Sequence, residues 1–88
     1  MKGNKMNIDN MIRDEIIKAK KHFPWWPEDP VHAAAIVAEE AGELVQASLQ
    51  FTYENGSIIA MEKEAIQTAA MAIRFLEKIS EYKKRQSM

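Results

Sequence analysis

Apolar residues along this chain recur every three or four positions, the repeat of a helix with one buried face. In residues 7–23 they are Ile8, Ile12, Ile16, Ala19 and Phe23, an amphipathic stripe that predicts a first helix. Pro24 ends it, because a residue preceding proline is pushed out of the α region. Pro24-Trp25-Trp26-Pro27-Glu28-Asp29-Pro30 then reads as a rigid aromatic loop, with Asp29 placed to cap a second helix and Pro30 in its first turn. That helix is predicted to run to about Glu54, where Asn55-Gly56 stops it. Its apolar residues include Val31, Ala34, Val37, Ala38, Ala41, Leu44, Val45, Ala47, Leu49 and Phe51, a stripe wide enough for burial on more than one side. A third helix is predicted from near Ser57 to beyond Tyr82, with Ile59, Ile66, Ile73, Leu76 and Ile79 along one face. Lys83-Lys84-Arg85 at its end suits the negative pole of the helix dipole, although a solvated helix end is the plainer account of it. No segment shows the strict alternation of a half-buried strand. The expected fold is all-α, a bundle of three main helices per chain.

Size changes that picture. Residues 1–88 form one domain, and a chain of 88 residues buries barely enough surface to be stable alone, so completion of the bundle by oligomerisation is expected. A 47% hydrophobic and 28% charged composition is that of a globular chain. The net charge of −1 leaves no electrostatic footprint for a nucleic acid polymer. With no cysteine there is no disulfide framework and no thiolate metal site, and no apolar run approaches the ~18 residues that read as a membrane span. Met1-Lys2-Gly3-Asn4-Lys5 is followed by no apolar segment of the kind a secretory leader needs. A cytoplasmic location is the expectation.

The chemistry concentrates in Glu39-Glu40-Ala41-Gly42-Glu43 and in Glu64-Ala65-Ile66-Gln67. Residues three apart on a helix project side by side, with Cβ atoms about 5–6 Å apart. Glu40 and Glu43 therefore form a pair on the second helix, as Glu64 and Gln67 do on the third. Three carboxylates and an amide converging on one point make the oxygen-rich cage that a hard divalent cation prefers. A solvated acidic helix face is the plainer account of the same residues. Ala33, Ala34, Ala35, Ala38 and Ala41 before the first cluster, and Ala65, Ala69, Ala70 and Ala72 around the second, favour the cage, because small side chains let two helix axes approach closely.

A helix carrying E-E-x-x-E, a short connection and a second helix carrying E-x-x-D resembles the MazG-like, all-α nucleoside triphosphate pyrophosphohydrolases. The likeness covers roughly residues 22–80, including the Pro-Trp loop, and is most specific over Val37-Ala38-Glu39-Glu40-Ala41-Gly42-Glu43-Leu44. It implies hydrolysis of a ribo- or deoxynucleoside triphosphate between the α and β phosphates, giving the monophosphate and pyrophosphate. It also implies Mg²⁺, with Mn²⁺ as a substitute, and a bundle built from two or more subunits, a homodimer or homotetramer. Glu40, Glu43 and Glu64 stand at metal-ligand positions, and Glu39 is placed to orient the attacking water or a second metal. At Gln67 the chain departs from the pattern, which has aspartate there. A glutamine carbonyl still ligates Mg²⁺ but removes one negative charge from the cage.

Phosphate needs cationic partners, and Gln67, Met71, Arg74 and Lys78 fall on one stripe of the third helix. Arg74 and Lys78 are thus expected to extend the site toward substrate, with surface ion pairs as the alternative; Lys18, Lys20 and Lys21 are weaker candidates. Trp25 and Trp26 are candidates for stacking on a base, one of them in the core and the other beside the base or a subunit interface. His22 and His32 read as structural, since neither makes the Glu-x-x-His spacing of di-iron bundles. Two functions compete: the Mg²⁺-dependent hydrolase, favoured by the intact Glu39-Glu40-x-x-Glu43 cluster, and a non-catalytic bundle that binds nucleotide or a partner through a degenerate metal site, favoured by Gln67.

Overall fold

The computed structural model describes residues 7–87, so the N-terminal Met1–Lys5 stretch lies outside the described residues. The described residues form four helices, α1 (Ile8–His22), α2 (Pro30–Tyr53), α3 (Ile58–Glu77) and α4 (Ile79–Ser87), and no strand. α3 is the central element, packed along α2 and against α1, with α4 continuing from its end. Among the described residues, no helix is long and apolar enough to cross a membrane.

Side chains set the helix starts. Asn7 accepts from the Asn10 N–H at the head of α1, Asp29 from Val31 at α2, and Ser57 from Ile59 and Ala60 at α3. The stop of α2 is built by Asn55 and Gly56 in different ways. Asn55 takes the left-handed conformation at φ 57°, and the Gly56 N–H reaches back to the Gln50 carbonyl at 2.7 Å, which also accepts the Glu54 N–H at 2.9 Å. A Cβ on Gly56 would lie 2.8 Å from the Gln50 carbonyl carbon, so this glycine is required by close approach rather than by its φ.

Four helices replace the three that periodicity predicts. The expected third helix breaks at Lys78, whose φ and ψ of −98° and 1° fall in the bridge region, and whose N–H turns to the Phe75 carbonyl at 3.1 Å. Neither glycine nor proline marks the break. Its consequence is a change of direction that brings Tyr82 over the ring of Phe75 and up to the loop between α1 and α2.

The interior of the single chain is made of small residues. Among the described residues its buried apolar side chains are Ala19, Pro27, Ala33, Ala47 and Ala70, and no large side chain is fully enclosed. Beside the α2–α3 seam runs an apolar groove of about 530 Å³ lined by Ala34, Val37, Ala38, Ala41, Ala72, Phe75 and Leu76. Val45 and Leu49 continue the line along α2 and are exposed.

Candidate metal centre and adjoining cavity

Ala33, Glu40 and Ala47 are spaced by seven residues and so lie on one line of α2, both alanines buried. Glu40 thus occupies a position that packing alone would give to an apolar residue. Glu43 stands one turn on, and Glu64 faces them from α3. One carboxylate oxygen from each of Glu40, Glu43 and Glu64 lies within 4.8 Å of the others. Within this triad Oε1 of Glu40 and Oε1 of Glu64 are buried and accept no hydrogen bond. Leaving such an oxygen unpaired costs about 1–3 kcal/mol, more when it is charged.

The electrostatics point the same way. The Glu40 carboxyl is held above its ordinary value of 4.5, chiefly by burial and then by repulsion from Glu43, Glu64, Glu39 and Glu15. A cation bonded at about 2.1 Å spaces its ligand oxygens roughly 3–4 Å apart, so modest closure of the triad meets that requirement. The donor set is all oxygen and all acidic, the chemistry of a hard divalent ion. The residues fit Mg²⁺.

A cavity of about 490 Å³, within the range of small-molecule sites, opens beside Glu40. α1 supplies Glu15, Lys18, Ala19 and His22, the loop supplies Phe23, Trp25, Trp26 and Pro27, α2 supplies Ile36, Glu39 and Glu40, and α3 supplies Gln67, Met71 and Arg74. Glu39 is exposed and Gln67 half-buried at this cavity. Among the residues singled out from sequence, the structure therefore gathers Glu39, Glu40, Gln67, Trp25, Trp26 and Arg74 around one space, with Glu43 and Glu64 completing the triad next to it.

Arg74 is placed differently from a phosphate-binding arginine on an open stripe. It is only 5% exposed, and its Nη2 donates to the carbonyls of Phe23 at 2.8 Å and Trp25 at 3.4 Å, while its guanidinium sits 4.9 Å from the centre of the Trp26 ring. Burial lowers its pKa and Glu77 opposes that shift. Lys78 is not brought to the cavity; it pairs with Glu81 at 3.3 Å on the far side of the loop. Of the α1 lysines, Lys18 lines the cavity and Lys20 pairs with Glu77 at 3.0 Å. Trp26 is half-buried with its indole N–H on the Tyr82 hydroxyl at 3.1 Å, and Trp25 is 64% exposed with His32 tilted against it. The His22 imidazole is bonded at Nδ1 to the Lys18 carbonyl.

Sequence reasoning missed Glu15 and His22 as cavity residues, although 15, 18, 19 and 22 share a helical face, and it gave Tyr82 no role. Compared with family models, curated proteins and solved structures, the chain matches none.

The raised Glu40 pKa predicts how metal-free stability varies with pH. The folded chain keeps a proton that the unfolded chain releases near 4.5, so this group favours folding most at low pH, and its contribution falls as pH rises from 4.5 through the raised folded value. Glu40→Gln removes that fall. Thermal melting in a chelator between about pH 4 and 8 should show a flatter profile for Glu40→Gln than for the unsubstituted chain. Superimposable profiles would place the repulsion elsewhere.

Proposed function

We propose that this protein is a Mg²⁺-dependent nucleoside triphosphate pyrophosphohydrolase, acting on a ribo- or deoxynucleoside triphosphate to give the monophosphate and pyrophosphate. One observation carries the reading: the Glu40, Glu43 and Glu64 triad, with two buried oxygens lacking partners, stands at the edge of a nucleotide-sized cavity walled by tryptophan.

Glu40, Glu43 and Glu64 would hold Mg²⁺, which when bound would supply Lewis-acid polarisation and neutralise phosphate charge. The chain's own residues do the rest. Glu39 is exposed at the cavity, where its carboxylate can orient a water and accept its proton as the water attacks the α phosphorus and the bond to the β phosphate breaks. Trp25 offers an exposed ring for base stacking, worth about 1–3 kcal/mol. Lys18 is the cavity's lysine for phosphate, while Arg74 contributes its positive field from behind the loop. Two copies joined along the apolar α2–α3 groove complete the bundle.

The test is pyrophosphate release from each common ribo- and deoxynucleoside triphosphate, with Mg²⁺ and with Mn²⁺. Turnover of at least one substrate that a chelator abolishes is expected. Nucleotide binding without turnover would instead favour the non-catalytic bundle, the reading that Gln67 supports.

Gln67 itself gives a prediction. It lines the cavity one helical turn from Glu64, and Gln67→Asp adds a negative charge beside the ion. Mg²⁺ affinity is expected to rise roughly tenfold, equivalent to about 1.4 kcal/mol, because hard-cation affinity follows the number of charged oxygens. Titration calorimetry showing no change in a folded Gln67→Asp chain would remove Gln67 from the ion's surroundings.

A further inference from the structure

The loop from Phe23 to Asp29 carries Pro24 and Pro27, whose nitrogens donate nothing, and it is held by side chains from the far end of the sequence rather than by a ladder of its own. Arg74 takes the carbonyls of Phe23 and Trp25. The Tyr82 hydroxyl donates to the Pro27 carbonyl at 3.0 Å and accepts the Trp26 indole N–H at 3.1 Å. Arg85 donates to the carbonyl of Glu28. Three side chains of α3 and α4 thus engage four carbonyls and one ring of a six-residue stretch.

These same residues build the aromatic side of the cavity, to which Phe23, Trp25, Trp26 and Pro27 all contribute. α4 packs lightly against the end of α3. Ile79 and Tyr82 are its only half-buried residues among those whose side chains are described, and the rest are exposed. The break at Lys78 is what aims Tyr82 and Arg85 at the loop.

We propose that Arg74 and Tyr82 are positioning residues for the nucleotide site: docking of α4 through the Tyr82 hydroxyl fixes Trp26, and with it the aromatic wall against which the base is held. This rests on the reading of the cavity as a nucleotide site. Neither residue touches the acidic triad, so clasp and metal centre are separable. Losing the Tyr82 hydroxyl frees the Trp26 indole and the Pro27 carbonyl while leaving the phenyl ring on Phe75. The wall then samples other positions, and substrate meets a site that must be ordered on binding.

The test uses the full chain with Tyr82→Phe, and Arg74→Lys as a second variant that keeps the charge but not the fork. The chain has two tryptophans, so Trp25→Phe leaves Trp26 as the single indole reporter. In that background Tyr82→Phe should shift Trp26 emission to the red and raise its quenching by acrylamide, with helix content unchanged. With both tryptophans present, affinity for the Mg²⁺ complexes of the α,β-methylene analogues of the common ribo- and deoxynucleoside triphosphates should fall about two- to tenfold, the range that one or two hydrogen bonds set. Any loss of turnover should appear in KM rather than kcat, and Mg²⁺ affinity without nucleotide should not move. Unchanged Trp26 emission and quenching in Tyr82→Phe would overturn the clasp, as would unchanged analogue affinity. A chain that binds none of the analogues even before substitution would overturn the nucleotide reading, and emission alone would then decide the clasp.

Discussion

Glu43→Ala is expected to leave the helices intact, to abolish measurable Mg²⁺ binding and to lower pyrophosphate release by more than about 100-fold, since even loss of an outer partner of a metal ligand costs roughly 10- to 100-fold. Glu64→Ala should do the same. Glu43 is the more telling choice because it is exposed and carries no packing burden, so its removal cannot be mistaken for a core defect. In the absence of metal the sign reverses. Glu43 is the largest charge acting against Glu40, and deleting it relieves repulsion in a site where two carboxylate oxygens are buried without partners. The metal-free Glu43→Ala chain should therefore melt about 2–5 °C higher than the unsubstituted one, on the scale of several degrees per kcal/mol for a domain of this size. Stabilisation without metal joined to loss of Mg²⁺-induced stabilisation is a pattern that a solvated acidic face cannot give. Equal Mg²⁺ affinity in Glu43→Ala and the unsubstituted chain would move the metal site elsewhere.

How far the site was legible in the sequence depends on whether its determinants are local. Glu40 beside Glu43 follows from helix geometry alone, and the helix starts at Asn7, Asp29 and Ser57 follow from side chains that cap within three residues. The meeting of that pair with Glu64 needs the register of α2 on α3, which the alanines around both motifs permit without specifying. The break at Lys78 has no local marker. What it serves lies 55 and 56 residues away, the Pro27 carbonyl and the Trp26 indole that Tyr82 meets once α4 has turned. Arg74 shows the same limit from the other side. Its stripe position brings it to the cavity shared with Gln67 and Met71, yet nothing local says that proline-rich backbone there would take up its donors. Periodicity tells which face a residue occupies. It does not tell what waits opposite.

The second large effect is expected at Leu76, on the rim of the apolar groove. Leu76 is 65% exposed in the single chain, and a substitution at such a position in a monomer changes stability by no more than about 0.5 kcal/mol. As an interface residue it behaves otherwise. Among the described residues a single chain buries only small apolar side chains, Ala19, Pro27, Ala33, Ala47 and Ala70. Its half-buried aliphatic side chains reach full burial only if another surface covers them. The groove of Ala34, Val37, Ala38, Ala41 and Phe75 is shallow because its floor is alanine, a shape that admits a second helix pair at close range. In the proposed homodimer, Leu76→Asp places a charge in that seam without a partner. The expected outcome is loss of assembly together with loss of several kcal/mol, leaving the chain largely unfolded at micromolar concentration. The unsubstituted chain should sediment as a dimer or tetramer, with a melting temperature that rises with protein concentration. Light scattering that finds a compact monomer, or a Leu76→Asp chain that melts where the parent does, would show that the α2–α3 face stands free.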